Sequence, residues 1–157
     1  MAEEKKLAII ATKGTLDWAY PPFILASTAA ALGYETQIFF TFYGLNLLKK
    51  DIKDIKVSPL GNPAMPMPMP IPNLVQVLPG MESMATSMMK KKMKSKGVAS
   101  LEDLRDLCQE AEVTMIACQM TVDLFDYNPG DFIDGIDYGG AATFFEFAGE
   151  SDISLFI

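Results

Sequence analysis

Apolar runs and polar breaks along the chain predict strands and helices in turn. Leu7 to Thr12 is a short apolar run closed by Lys13-Gly14, the pattern of a strand buried on both faces. Pro21-Pro22 supplies a helix start, and the sequence through Ala29, Ala30 and Ala31 carries that helix to a stop at Gly33. Glu35 to Phe42, rich in aromatic and β-branched residues, reads as the second strand. Leu45 to Ile52 reads as a short helix, and Leu74 to Leu78, bounded by prolines, as the third strand. Met81 to Lys94 is helical, with Met81, Met84, Ala85 and Met88 on one face. Ser100 caps the next helix, with Asp103 three positions on, and its apolar stripe is Leu101, Leu104, Leu107, Cys108 and Ala111. Val113 to Ala117 is the fourth strand. Cys118 follows at its end, at the head of a helix that runs to about Phe125. Gly139 to Ala148 is the last helix and Ile153 to Ile157 the last strand.

Strands alternating with helices specify a three-layer α/β/α sandwich built on a mainly parallel five-stranded sheet of flavodoxin size. With 157 residues, half of them apolar, the chain forms one domain spanning 1–157 and can bury a core without disulfides or metals. There is no internal repeat, and the pattern carries no strand order.

Charge and composition then exclude several classes. The formal net charge is −7, which argues against nucleic acid as a partner. Lys90, Lys91, Lys92, Lys94 and Lys96 crowd one stretch, the solvated end of a helix whose dipole favours cations there, and no Lys or Arg follows Arg105. The absence of histidine removes Cys–His and Ser–His catalytic pairs and His-ligated zinc. Two cysteines ten residues apart make neither a zinc cluster nor a disulfide framework, so no metal site and no cofactor are expected. The N-terminus leads straight into an apolar strand without a signal-peptide pattern, and the expected location is a reducing cytoplasm with two free thiols. The longest uncharged stretch, Val57 to Met81, could span a bilayer by length but holds seven prolines, which remove backbone donors that a lipid-exposed segment needs.

In an open parallel sheet, ligands sit at the carboxyl ends of the strands. Cys118 falls there, and so does Lys13-Gly14-Thr15, which is too short to count as a phosphate loop. A cysteine at a helix N-terminus meets unpaired N–H groups that favour the thiolate. Asp123, Asp126, Asp131, Asp134 and Asp137 oppose it, and Lys13 would offset them if the fold brings it close. Position alone leaves a reactive thiol and a buried structural cysteine both open for Cys118. Cys108 belongs to an apolar stripe and reads as core. Asp126, Asn128 and Gly130 only begin a calcium-loop pattern, and a solvated loop is expected.

The run Gly61 to Pro72 alternates proline with Met65, Met67, Met69 and Ile71, each held extended by the proline after it. Such a rod groups its methionines on one side and cannot be a central strand. Thioether ligands for copper(I) are one reading. An adaptable apolar surface for another subunit, a partner protein or a membrane is the plainer one.

Several segments resemble one branch of the DsrE/DsrF-like sulfur-carrier family. They are Gly14-Thr15-Leu16-Asp17 with Ala19-Tyr20-Pro21-Pro22, Phe39-Phe40-Thr41-Phe42-Tyr43-Gly44-Leu45, the Met-Pro run, Leu78-Pro79-Gly80-Met81, Ala117-Cys118-Gln119-Met120-Thr121, Asp131-Phe132-Ile133-Asp134-Gly135 and Gly139-Gly140-Ala141-Ala142-Thr143. The resemblance implies an α/β sandwich that forms homo-oligomers. It also implies a protein that accepts sulfur as a cysteine persulfide and passes it to a small TusA-like or rhodanese-like carrier. By position, the family's cysteine falls on Cys118, with Lys13 and Gln119 as candidates for stabilising the thiolate or binding substrate. Some members of the branch associate with membranes, which the proline rod would allow at the periphery. A persulfide relay needs no general base or metal, so the expected role is a carrier, or a sulfurtransferase, more than a turnover enzyme. A non-catalytic scaffold subunit and a peroxiredoxin-like thiol protein are the alternatives, although no resolving partner is evident.

Overall fold

The computed structural model describes residues 3–57 and 73–157. Met65, Met67, Met69 and Ile71, and with them the expected rod, lie outside the described residues.

Five strands form one all-parallel sheet: β1 (Lys6–Ala11), β2 (Glu35–Phe40), β3 (Thr114–Cys118), β4 (Asp137–Gly139) and β5 (Ile153–Phe156), in the order β4-β3-β2-β1-β5. Among the described residues six α-helices accompany them: α1 (Leu16–Ala31), α2 (Asn73–Gln76), α3 (Met81–Ser95), α4 (Leu101–Glu110), α5 (Gln119–Leu124) and α6 (Ala141–Ala148). Because all strands run the same way, their carboxyl ends share one edge.

The two faces of the sheet are covered unequally. Leu7, Ile9, Ala11, Ile38, Phe40, Met115 and Ala117 point into the larger core with α1 and α4, including Phe23, Ala26, Leu101 and Cys108. The alternate residues Ala8, Phe39, Ile116 and Cys118 meet Phe144 of α6 in a smaller cluster. The period of two along β1, β2 and β3 divides their apolar residues between the layers, so these three strands read as largely apolar runs.

Several expectations needed correction. Leu74 to Leu78 is not a strand: α2 covers Asn73–Gln76, and Val77 and Leu78 are exposed. Strand propensity reflects packing against neighbouring strands, and among the described residues no strand lies beside this segment, which leads into the turn at Gly80, with φ +88°. The fifth strand is instead the short β4, which the expected elements lacked. Helix α1 begins at Leu16, not at the prolines. Thr15 is its extended N-cap, and Pro21 and Pro22 lie inside it, where each removes one backbone donor. The helix expected over Leu45 to Ile52 is a 3-10 helix over Phe42–Leu48.

On α3 the residues packed inward are Ala85, Thr86, Met89 and Met93, while Met84 and Met88 are exposed. On α4, Leu101 and Cys108 are buried as expected. Leu107 and Ala111 are exposed, and Arg105 takes a core position. Ser100 does cap α4, its hydroxyl accepting the Asp103 N–H at 3.1 Å. No helix among the described residues is long and apolar enough to cross a membrane.

Candidate functional site

The loops after β1 and β2 touch at the carboxyl edge of the sheet. A Cβ on Gly44 would collide with the Ala11 carbonyl, and one on Gly14 with the Tyr43 carbonyl, so both positions require glycine for close approach. Beyond β2, Thr41 is extended and Phe42 adopts φ +49°. A left-handed conformation costs a bulky residue about 1–2 kcal/mol, and the surroundings must hold it. Here the Phe42 N–H donates to the Thr121 hydroxyl at 3.1 Å, which ties the loop after β2 to α5.

Cys118 ends β3 and is the N-cap of α5. Phe40 pairs with Ala117, so Thr41 follows on the strand beside Cys118, and Cys118 itself pairs with Gly139 on the other side. The residue is 4 % exposed, and Gln119 and Met120 directly after it are exposed. Burial pushes the Cys118 thiol up. Against it act the hydroxyl and N–H of Thr121, the hydroxyl of Thr41 and the N–H of Met120, and together they bring the thiol below its ordinary value. The neutral thiol closes no capping hydrogen bond of its own. These donors therefore favour the charged form over the neutral one. The five aspartates that follow are all exposed, where water screens them.

Aromatic residues wall this end of the molecule. Phe125 stacks on Tyr43 with centroids 5.9 Å apart and meets Phe42 edge-on at 6.2 Å. The series continues through Tyr127 and Phe132 to Tyr138. It anchors the segment after α5 against the loop after β2.

The other sequence candidates occupy separate positions. Lys13 places its ammonium 3.4 Å from the centre of the Trp18 ring. The Gln119 amide donates to Asp123 at 2.8 Å, one helical turn away. Neither is among the groups that act on the thiol. Asn128 accepts the Gly130 N–H at 2.9 Å, an Asx turn that caps the 3-10 helix Pro129–Asp131. Thr41, Thr121 and the Phe42 amide were missed by sequence reasoning. The available signal was Thr121 itself, a hydroxyl three residues after a cysteine in N-cap position.

Cys108 has the opposite environment. It is fully buried, its Sγ–H donates to the Phe23 carbonyl at 3.3 Å, and burial pushes its thiol up to about 12. The unfolded chain releases this proton near 9, so the neutral thiol's contribution is complete below that pH and is lost progressively up to about 12. Between pH 8 and 10 the wild type should therefore lose about 1 kcal/mol more stability than Cys108→Ala. Urea unfolding at the two pH values measures this, and equal losses would contradict it.

The chain is similar to proteins that share its full length. The sulfur carrier protein DsrE2 of Allochromatium vinosum is 73% identical over 159 residues, which cover 99% of each chain. The uncharacterized protein YrkE of Bacillus subtilis is 32% identical over 99% of this chain and 98% of its own. The crystal structure of the ychN protein from E. coli shares the fold at 10% sequence identity, with a TM-score of 0.56 over 98% of this chain and 99% of that one. The family model that matches covers residues 3–156, and the chain belongs to the DsrE/DsrF/DrsH-like family.

Proposed function

We propose that this protein carries sulfane sulfur as a persulfide on Cys118. The observation that carries the reading is the setting of that thiol: at the carboxyl edge of the sheet, directly before exposed residues, among donors that favour its thiolate. The 73% identical relative, the sulfur carrier protein DsrE2, supports the same function. In the loading step the Cys118 thiolate attacks the outer sulfur of a donor persulfide, R–S–SH. A Cys118–sulfur bond forms, the donor's sulfur–sulfur bond breaks, and the donor leaves as the thiolate R–S⁻. An acceptor thiolate then repeats the attack on the outer sulfur and releases Cys118 as thiolate. Thiolate fraction, leaving-group character and access set the rate, and no base or metal enters. Lys13 and Gln119, both exposed beyond the same sheet edge, belong to the proposal as polar groups that meet the incoming donor.

A small TusA-like or rhodanese-like protein is the proposed partner, in a reducing cytoplasm, with peripheral membrane contact through the Met-Pro segment as a further part of the proposal. The test is mass spectrometry after incubation with polysulfide, or with thiosulfate and a rhodanese. A gain of one sulfur mass on Cys118, reversed by a thiol acceptor, supports the reading, and a chain that gains none rejects it.

We also propose a homo-oligomer. Phe145 is 68 % and Phe156 74 % exposed, large apolar side chains beside the thinly covered sheet face. Light scattering at micromolar concentration should give a multiple of the chain mass, and a monomer would contradict this.

A further inference from the structure

We propose that Thr121, paired with Thr41, is a positioning residue for the Cys118 thiolate: the two hydroxyls form a joined pair, oriented by the Phe42 amide, that always has one O–H to give to the sulfur. The inference deepens the reading of Cys118 as the sulfur-bearing residue and rests on it.

The argument is an account of protons. Thr121 is fully buried and Thr41 half-buried, and their oxygens lie 3.2 Å apart. The Phe42 N–H occupies one acceptor position on the Thr121 oxygen. Two hydroxyls carry two protons, and the bond between them uses one, whichever residue donates. Neither hydroxyl has another hydrogen-bond partner among the described residues. The second proton is therefore free, and Cys118 is the residue that adjoins both members of the pair. Thr41 adjoins Cys118 across the β2–β3 pairing, and Thr121 stands three residues after it in the first turn of α5. The lowering of the Cys118 thiol by both hydroxyls agrees with this placement.

The left-handed Phe42 gains a role from the same geometry. Its unusual backbone turns the N–H onto the Thr121 oxygen. With that acceptor position filled from the loop, the Thr121 proton is directed away from Phe42, toward Thr41 or the sulfur. A thiolate that forms or is released thus meets a donor already in place, with no water to recruit.

The experiment is the pH profile of iodoacetamide labelling at Cys118, with no sulfur donor present. Thr121→Val keeps the shape and removes the hydroxyl. The labelling midpoint should rise by about half a pH unit or more in Thr121→Val, and by about one unit in the double variant with Thr41→Val, the size expected for losing a charge-assisted hydrogen bond. Thr121→Ser should restore the wild-type midpoint. A purely structural role would instead change the plateau rate at high pH, or the melting temperature, and leave the midpoint in place. An unmoved midpoint in the folded double variant overturns the inference, as does Thr121→Ser behaving like Thr121→Val. Failure of the carrier reading is seen separately: midpoints that move as stated, in a chain that takes up no sulfur, reject sulfur carriage and keep the hydroxyl pair.

Discussion

Cys118→Ser should take up no sulfur and keep the wild-type fold. The first half follows from chemistry: a hydroxyl at this position is not ionised near neutral pH and cannot form the sulfur–sulfur bond. The second half follows from position. Residue 118 is the N-cap of α5, and serine is among the preferred N-cap residues because its oxygen accepts the N–H groups of the first turn. The variant should therefore melt within a degree or two of wild type while its sulfur loading falls below detection. Cys108→Ala should load like wild type, since its thiol is fully buried on the far face of the sheet and pushed up to about 12. Loading retained in Cys118→Ser, or lost in Cys108→Ala, would move the chemistry to the wrong cysteine and reject the assignment. The comparison is made on intact mass, so a variant that unfolds is recognised from its melting curve before its loading is read.

Arg105→Ala should lower stability by about 3 kcal/mol. Arg105 is 4 % exposed, yet no carboxylate pairs with it among the described residues. Its guanidinium donates to the carbonyls of Leu47, Lys49 and Lys50, the end of the 3-10 helix and the two residues after it. Burial holds the guanidinium below its usual value, against the pull of Asp106 and Glu102. Its planar fork serves several acceptors at once, which a lysine ammonium on a flexible stem does less well. Removing it leaves carbonyls without a partner and a cavity where the stem lay. Arg105→Met fills most of the cavity and carries no charge to desolvate, so it should cost clearly less than alanine. For a domain of this size the alanine variant's melting temperature should fall by roughly 6–12 °C. A change below about 1 kcal/mol in urea unfolding would show that water replaces the guanidinium.

The effect should also reach the site. The 3-10 helix that Arg105 holds begins at Phe42, whose amide supports Thr121. Arg105→Ala should therefore also raise the labelling midpoint of Cys118, and an unmoved midpoint would show that the Phe42 amide stays in place without Arg105.

Local sequence determined most elements on this chain. The apolar runs at Leu7, Glu35 and Val113 became strands, because a run buried on both faces satisfies its side chains only inside a parallel sheet, and the run at Ile153 paired as the more exposed edge strand β5. Ser100 capped α4 as its side-chain chemistry dictates. The placement of Cys118 at a strand end followed from the register of Val113 to Ala117 alone. Tertiary structure decided the rest. Leu74 to Leu78 has the composition of a strand but no neighbour to pair with among the described residues, whereas Asp137–Gly139 has poor strand composition and pairs because β3 lies beside it. Arg105 occupies a core position since three carbonyls 55 to 58 residues away await it, a match that no local pattern contains. The same holds at the thiol. The cysteine could be read from the sequence, but Thr41 and Phe42 lie about eighty residues before Thr121, and only the pairing of β2 with β3 brings them to the hydroxyl three residues after the sulfur.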